Sequence, residues 1–199
     1  MLFMVEPGRN QNIGRALALS VLLALAAGAR AAEDVTVEAT RREDALEIAC
    51  RATLDAPVEL VWQTLTDYNR LHEFIPGMRR SRVIEQRGTT AVIEQSGEAR
   101  FLFLVFPIEV TLSSVERPPH AIEASMLKGN LKRLQGVYRI EPQRGGRLVL
   151  TWNGVIEAVS MPPLLGEIVM RGSIEDQFRG MVHEIERRVA ARREKDAKK

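Results

Sequence analysis

The chain has 199 residues, with 28 Lys+Arg against 26 Asp+Glu, 45% hydrophobic and 27% charged residues. That is ordinary globular composition, which excludes wholesale disorder, and the length suits one domain. A single cysteine excludes an internal disulfide, and 5% aromatics exclude a multi-site stacking surface for single-stranded nucleic acid.

The first 31 residues differ from the rest. Arg9 and Arg15 precede an apolar run from Ala16 to Ala27, and Ala29 and Ala31 flank Arg30. A positive start, an apolar run of about a dozen residues and a small-x-small site make a secretory signal peptide over 1–31. The run is shorter than the roughly 20 residues a membrane span needs. The sequence therefore predicts export, to a bacterial periplasm, with the mature chain starting near Ala32. Residues 1–31 hold three arginines and one acidic residue, so residues 32–199 carry no net formal charge. The basic balance of the whole chain is no argument for nucleic-acid binding.

Residues 32–43 read as a polar lead-in. A strand is predicted over 45–54, with Leu46, Ile48, Cys50 and Ala52 on one face. Cys50 is then a small buried hydrophobe, since no adjacent base or cation would activate it. Asp55-Ala56-Pro57 opens a short helix over 57–66 that places Val58, Val61, Trp62 and Leu65 on its core side. After Asp67-Tyr68-Asn69 a second helical turn runs over 70–75 and stops at Pro76-Gly77. Strands are predicted over 79–86, 91–99, 101–116, 121–127, 131–141 and 147–157, punctuated by hairpin-type turns. Past Pro162-Pro163 a helix is predicted over 164–193. Ile174, Phe178, Met181, Val182, Ile185 and Val189 form its apolar stripe, Gly172 is a point for a kink, and Ser173 is a candidate N-cap. Residues 192–199 are a charged, frayed tail. Together these elements give an α+β fold: a curved antiparallel sheet of six or seven strands, two short helices and a long C-terminal helix. A space between sheet and helix either fills with side chains or holds a ligand.

The residues in this order resemble the START-like, helix-grip (SRPBCC) superfamily, which includes polyketide cyclases/dehydratases and lipid-transport proteins. The nearer similarity is to its coenzyme Q-binding branch. The stretches that carry it are Asp55-Ala56-Pro57, Val61-Trp62, Leu65-Thr66-Asp67-Tyr68 and Phe74-Ile75-Pro76-Gly77-Met78. Further on they are Gly97-Glu98-Ala99-Arg100-Phe101, Phe106-Pro107-Ile108-Glu109-Val110 and the run from Gly129 to Gly136. The resemblance implies a START-like domain over 44–191, with an apolar cavity under the helix for a lipid-like molecule such as a polyprenyl quinone. It carries over no universal catalytic residue.

The densest apolar run, Phe101 to Phe106, alternates faces if it is one strand, and Phe101 and Phe103 are then placed on a cavity wall. Tyr138 and Trp152 on neighbouring strands, and Ile174 and Phe178 on the helix, complete the apolar set. Glu98 and Arg100, two apart on a strand, can pair with each other or with a polar ligand head. These eight residues are the candidate ligand contacts. No catalytic residue, metal site or cofactor is predicted: His72, His120 and His183 lack metal spacing, and no phosphate loop, dinucleotide fingerprint or G-x-S-x-G occurs. The sequence thus favours an exported monomer that binds a hydrophobic small molecule and no nucleic acid; the basic tail reads as a solvated helix end, with contact to an anionic membrane surface as its alternative. The alternatives are a cyclase/dehydratase-like enzyme, with Glu98 or a tyrosine as proton donor, and a protein-interaction module using the helix or tail.

Overall fold

A computed structural model describes residues 35–158 and 163–198. The predicted signal peptide lies outside the described residues. Among the described residues, eight strands form one antiparallel sheet in the order β1-β2-β8-β7-β6-β5-β4-β3. They are β1 (Thr36–Arg42), β2 (Ala45–Leu54), β3 (Met78–Arg87), β4 (Thr90–Phe101), β5 (Leu104–Arg117), β6 (Ala121–Gly129), β7 (Leu131–Pro142) and β8 (Leu148–Ala158). Helix α1 (Val58–Leu65) and a 3-10 helix (Tyr68–Glu73) lie between β2 and β3, and α2 (Pro163–Asp196) ends the fold. This is the α+β helix-grip architecture, with one strand more than the pattern predicts.

The extra strand is β1. It falls in the expected lead-in, yet it pairs with β2 from Thr36↔Arg51 to Arg42↔Ala45. On β2 every second residue turns inward, and Leu46, Ile48, Cys50, Ala52 and Leu54 are all buried. Cys50 is 1% exposed, and burial pushes its thiol up to about 12. It stays protonated and inert at neutral pH.

Helix α2 is continuous through Gly172 and reaches Asp196, so the chain does not break there. Ser173 is not a cap; its hydroxyl accepts a hydrogen bond from Gln177 Nε2 at 3.1 Å inside the helix. The tail is helical further than expected, and Arg193 reaches the Asp55 carboxylate at 2.7 Å. The stripe on α2 packs on the sheet: Phe178, Met181, Val182, Ile185 and Val189 are buried. Gly180 marks the close crossing with the segment after the 3-10 helix. A Cβ there would stand 2.4 Å from Pro76 Cδ and 2.8 Å from the Phe74 carbonyl oxygen. The 3-10 helix is pinned to β3 by Asn69, whose side-chain oxygen accepts from the Val83 backbone N–H at 2.9 Å.

The long strand expected over 101–116 begins three residues later, at Leu104, and runs to Arg117. Phe101 pairs with Leu104, and Leu102-Phe103 form a two-residue turn. Leu102 has φ of 54°, a left-handed conformation that costs a branched residue about 1–2 kcal/mol and that glycine takes freely.

Candidate ligand cavity

A cavity of about 200 Å³ lies between the concave face of the sheet, the segment from Leu65 to Met78, and the first half of α2. Each wall reflects alternation or helical spacing. Ile93, Gln95 and Gly97 of β4 face inward, as do Val110, Leu112 and Ser114 of β5. Met170, Ile174, Phe178 and Met181 face inward from α2 at steps of four and three.

The floor is Trp152. Its indole lies over two glycines that pair across β7 and β8, Gly136 and Gly154. A Cβ at either would come within 2.5–2.8 Å of the ring. Small residues on the sheet surface therefore let the largest side chain lie flat, leaving room above it. Tyr138, opposite Trp152 in register, meets it with ring centroids 6.4 Å apart at a tilt of 53°.

The two ends of the cavity differ in exposure. At one end Leu65, Tyr68, Ile93, Leu112 and Ile122 are buried. There the Tyr68 hydroxyl and Ser114 Oγ are 3.0 Å apart and share a hydrogen bond. Toward the other end Met78, Glu98, Ile108, Leu134, Ser173, Ile174 and Gln177 are only half-buried. This is the end of the sheet where α2 begins, and it is the accessible one.

Among the described lining residues the ionisable groups are Glu98, Tyr68 and Tyr138. Burial pushes both phenols above their ordinary value, which for Tyr68 outweighs the Ser114 hydrogen bond. Both stay protonated hydrogen-bond donors at neutral pH. Glu98 sits at the rim with its side chain 9% exposed, and its two oxygens are engaged by Arg79 and Arg100. This arrangement suits orientation of a polar group better than proton transfer, because the one carboxylate is already the acceptor for two guanidiniums.

Of the eight candidate contacts, Glu98, Tyr138, Trp152, Ile174 and Phe178 come together around the cavity. Arg100 stands outside it and reaches Glu98. Phe103 is 86% exposed at the hairpin turn. The expected wall position for it assumed a continuous strand, and the turn removes it. The side chain of Phe101 lies outside the described residues. Tyr68, Ser114 and Gln95 border the cavity unforeseen: Tyr68 read as part of a helix breaker, and Ser114 carries no pattern of its own. Their shared role emerges only when β4, β5 and the 3-10 helix meet. His72, His120 and His183 are exposed, and Trp62 is half-buried on α1 away from the cavity lining.

A curved antiparallel sheet closed over a cavity by a C-terminal helix is a START-like ligand-binding architecture. Residues 54–182 match the family of polyketide cyclase / dehydrase and lipid transport proteins, and the chain belongs to that family. No curated protein matches the sequence. The fold is similar to that of the STAR-related lipid transfer protein from Xanthomonas axonopodis, at 15% identity and TM-score 0.63, covering 79% of this chain and 97% of that one. It is also similar to the Zhui aromatase/cyclase from Streptomyces sp. R1128, at 19% identity and TM-score 0.61, covering 73% and 96%. A START superfamily protein from Mycobacterium smegmatis matches at 9% identity and TM-score 0.60, covering 71% and 97%. At these identities the likeness establishes the shared fold.

Proposed function

We propose that this protein is an exported carrier that holds one hydrophobic small molecule in the cavity. The occupant is a single-chain lipid, an isoprenoid or a quinone-like ring compound. The observation that carries the reading is the lining: apolar side chains from β4 to β8 and α2, with hydrogen-bond donors at the buried end and Glu98 at the rim. Apolar ligand surface moved there from water contributes roughly 2.5 kcal/mol for every ~100 Å² buried. Ligand cavities commonly measure roughly 300–1,000 Å³. A space of about 200 Å³ therefore suits one chain or ring system, and two acyl chains would require α2 to move. The Tyr68–Ser114 pair would take a carbonyl or hydroxyl at the deep end. Export rests on the apolar run and small residues of 16–31.

Protein recovered from the envelope of its own cells, analysed by native mass spectrometry and solvent extraction, tests the reading. A bound apolar compound and an N-terminus near Ala32 are expected. Protein that is empty and has no affinity for fatty acids, isoprenoids or quinones would overturn the carrier reading, and an intact N-terminus the export reading. Filling the space with Ser173→Phe is expected to weaken binding of a fluorescent fatty acid at least about tenfold, or ~1.4 kcal/mol.

A further inference from the structure

We propose that the β4–β5 hairpin is a membrane-insertion arm that docks the accessible end of the cavity on an anionic phospholipid bilayer. The pairs from Glu98↔Pro107 to Phe101↔Leu104 extend past the last pair with β3, Met78↔Gly97, and past the last pair with β6, Val110↔Gly129. Among the described residues these four ladder pairs have no neighbouring strand on either side; at their base the Glu98 N–H donates to the Gly77 carbonyl at 2.8 Å and Ala99 is buried. At roughly 3.3 Å per residue the arm is about 13 Å long. Its base is fixed: Asn130 Nδ2 donates to the Pro107 carbonyl at 2.8 Å, and Asn130 Oδ1 accepts from the Glu109 N–H at 2.9 Å.

What the arm presents is apolar. Residues 102–106 read Leu-Phe-Leu-Val-Phe. Leu102 is 82% exposed, Phe103 86% and Val105 47%. Folding gives no reason for this. A two-residue turn with its first residue at positive φ favours glycine there, and leucine is held in that strained conformation instead. Strain kept in an exposed apolar turn points to use of the side chain.

Shape and charge decide the partner. A two-residue tip offers far less than the roughly 800 Å² per side of a stable protein contact. A fluid hydrocarbon phase, by contrast, can surround a protruding tip. Below the tip two guanidiniums, Arg79 and Arg100, are 68% and 65% exposed and share the single carboxylate of Glu98. That trio keeps a net positive charge at headgroup depth, and Arg80, next to Arg79 in sequence, is also exposed. The accessible lining residues lie at the same end, so insertion would set the cavity entrance against lipid.

The test uses the folded full chain with vesicles of phosphatidylcholine and phosphatidylglycerol in equal parts. In flotation, Leu102→Ser with Phe103→Ser is expected to lower vesicle association by roughly tenfold or more. Its unfolding temperature and its fatty-acid probe affinity in vesicle-free solution should be unchanged, which separates this result from failure of the carrier reading. Phe103→Trp is expected to shift its emission to the blue with these vesicles and to be quenched by brominated acyl chains. A tip indole whose emission vesicles leave unmoved overturns the proposal, whatever the flotation gives. So does a wild-type dimer that the serine variant dissociates, since the tip then serves a second copy. Association equal on pure phosphatidylcholine overturns the choice of an anionic surface.

Discussion

At one end of the cavity the C-terminal half of α2 is bound to the rest of the chain by packing and charge; at the other, the tip of the β4–β5 arm stands in solvent. Phe178, Val182 and Ile185 on the helix are at most 1% exposed. Beside them Glu184, with its side chain 6% exposed, accepts from Arg187 and Arg188, and Arg188 continues to Asp67 at 2.8 Å. The Arg188 guanidinium also lies 5.4 Å from the Phe74 ring centroid. The arm is tied down only at its base, by Asn130 and Arg79, and its tip carries Leu102 and Phe103 outside. The contrast separates a half of the site that sets stability from a half that is free to serve access. A cavity held rigidly at its buried end can admit a ligand at the other without unfolding.

The largest expected effect is on the packed half. Phe178→Ala removes a ring that both fills the core and lines the cavity, and should cost about 3–5 kcal/mol in urea unfolding. The matching change on the arm, Phe103→Ala, should stay within about 0.5 kcal/mol of wild type. Equal losses at the two positions would erase the contrast.

Gly180→Ala sharpens it from the backbone side. Alanine favours a helix interior by about 1 kcal/mol, so a solvated glycine would gain from the change. Here the new methyl meets Pro76 and the Phe74 carbonyl, and a net loss of about 1–3 kcal/mol is expected. Gly172, with nothing within 4 Å of a Cβ, is the internal control: Gly172→Ala should stabilise.

Charge at the packed end gives a pH signature. Hydrogen bonds from Arg187 and Arg188, opposed by desolvation, hold the Glu184 carboxyl at about 2 against an ordinary 4.5. A carboxyl lowered by folding stabilises the protein above its unfolded value. That contribution is lost as pH falls from about 4.5 through about 2. It should amount to about 1–3 kcal/mol at neutral pH, since Arg187 is largely solvated. Urea midpoints of wild type and Glu184→Gln should differ at pH 7 and converge near pH 2. A constant gap across that window would assign the loss to packing instead.

The same division explains what could be read in the sequence. The packed half was legible because burial imposes period: β2 alternates, and α2 repeats its apolar residues at three and four from Ile174 to Val189. The other half carries weaker signals. In β1 only Val37 and Ala39 mark an inward face, so its strand state comes from pairing with β2 rather than from its own composition. The turn at Leu102-Phe103 lacks the Gly, Asn, Asp or Pro that marks a hairpin. An unbroken apolar run reads as one strand until its partners are known, and that misplaced Phe103. The cavity residues are intermediate. Trp152, Tyr138 and Phe178 announce themselves by size, whereas Tyr68 and Ser114 lie 46 positions apart and acquire a common role only through the sheet.

The smallest expected effect is the one with opposite signs for folding and for docking. Leu102→Gly places the residue that tolerates φ of 54° at the turn. Glycine also loosens the unfolded chain, so the net gain in stability should be modest, up to about 1 kcal/mol. Thermal unfolding would read it as a small rise. The same change removes one of the two apolar side chains at the tip and should lower vesicle association. A turn shaped by folding alone would lose nothing by becoming glycine. Gain in one measurement with loss in the other would mean that the leucine is kept for contact outside the fold, and a loss in both would mean that Leu102 packs within it.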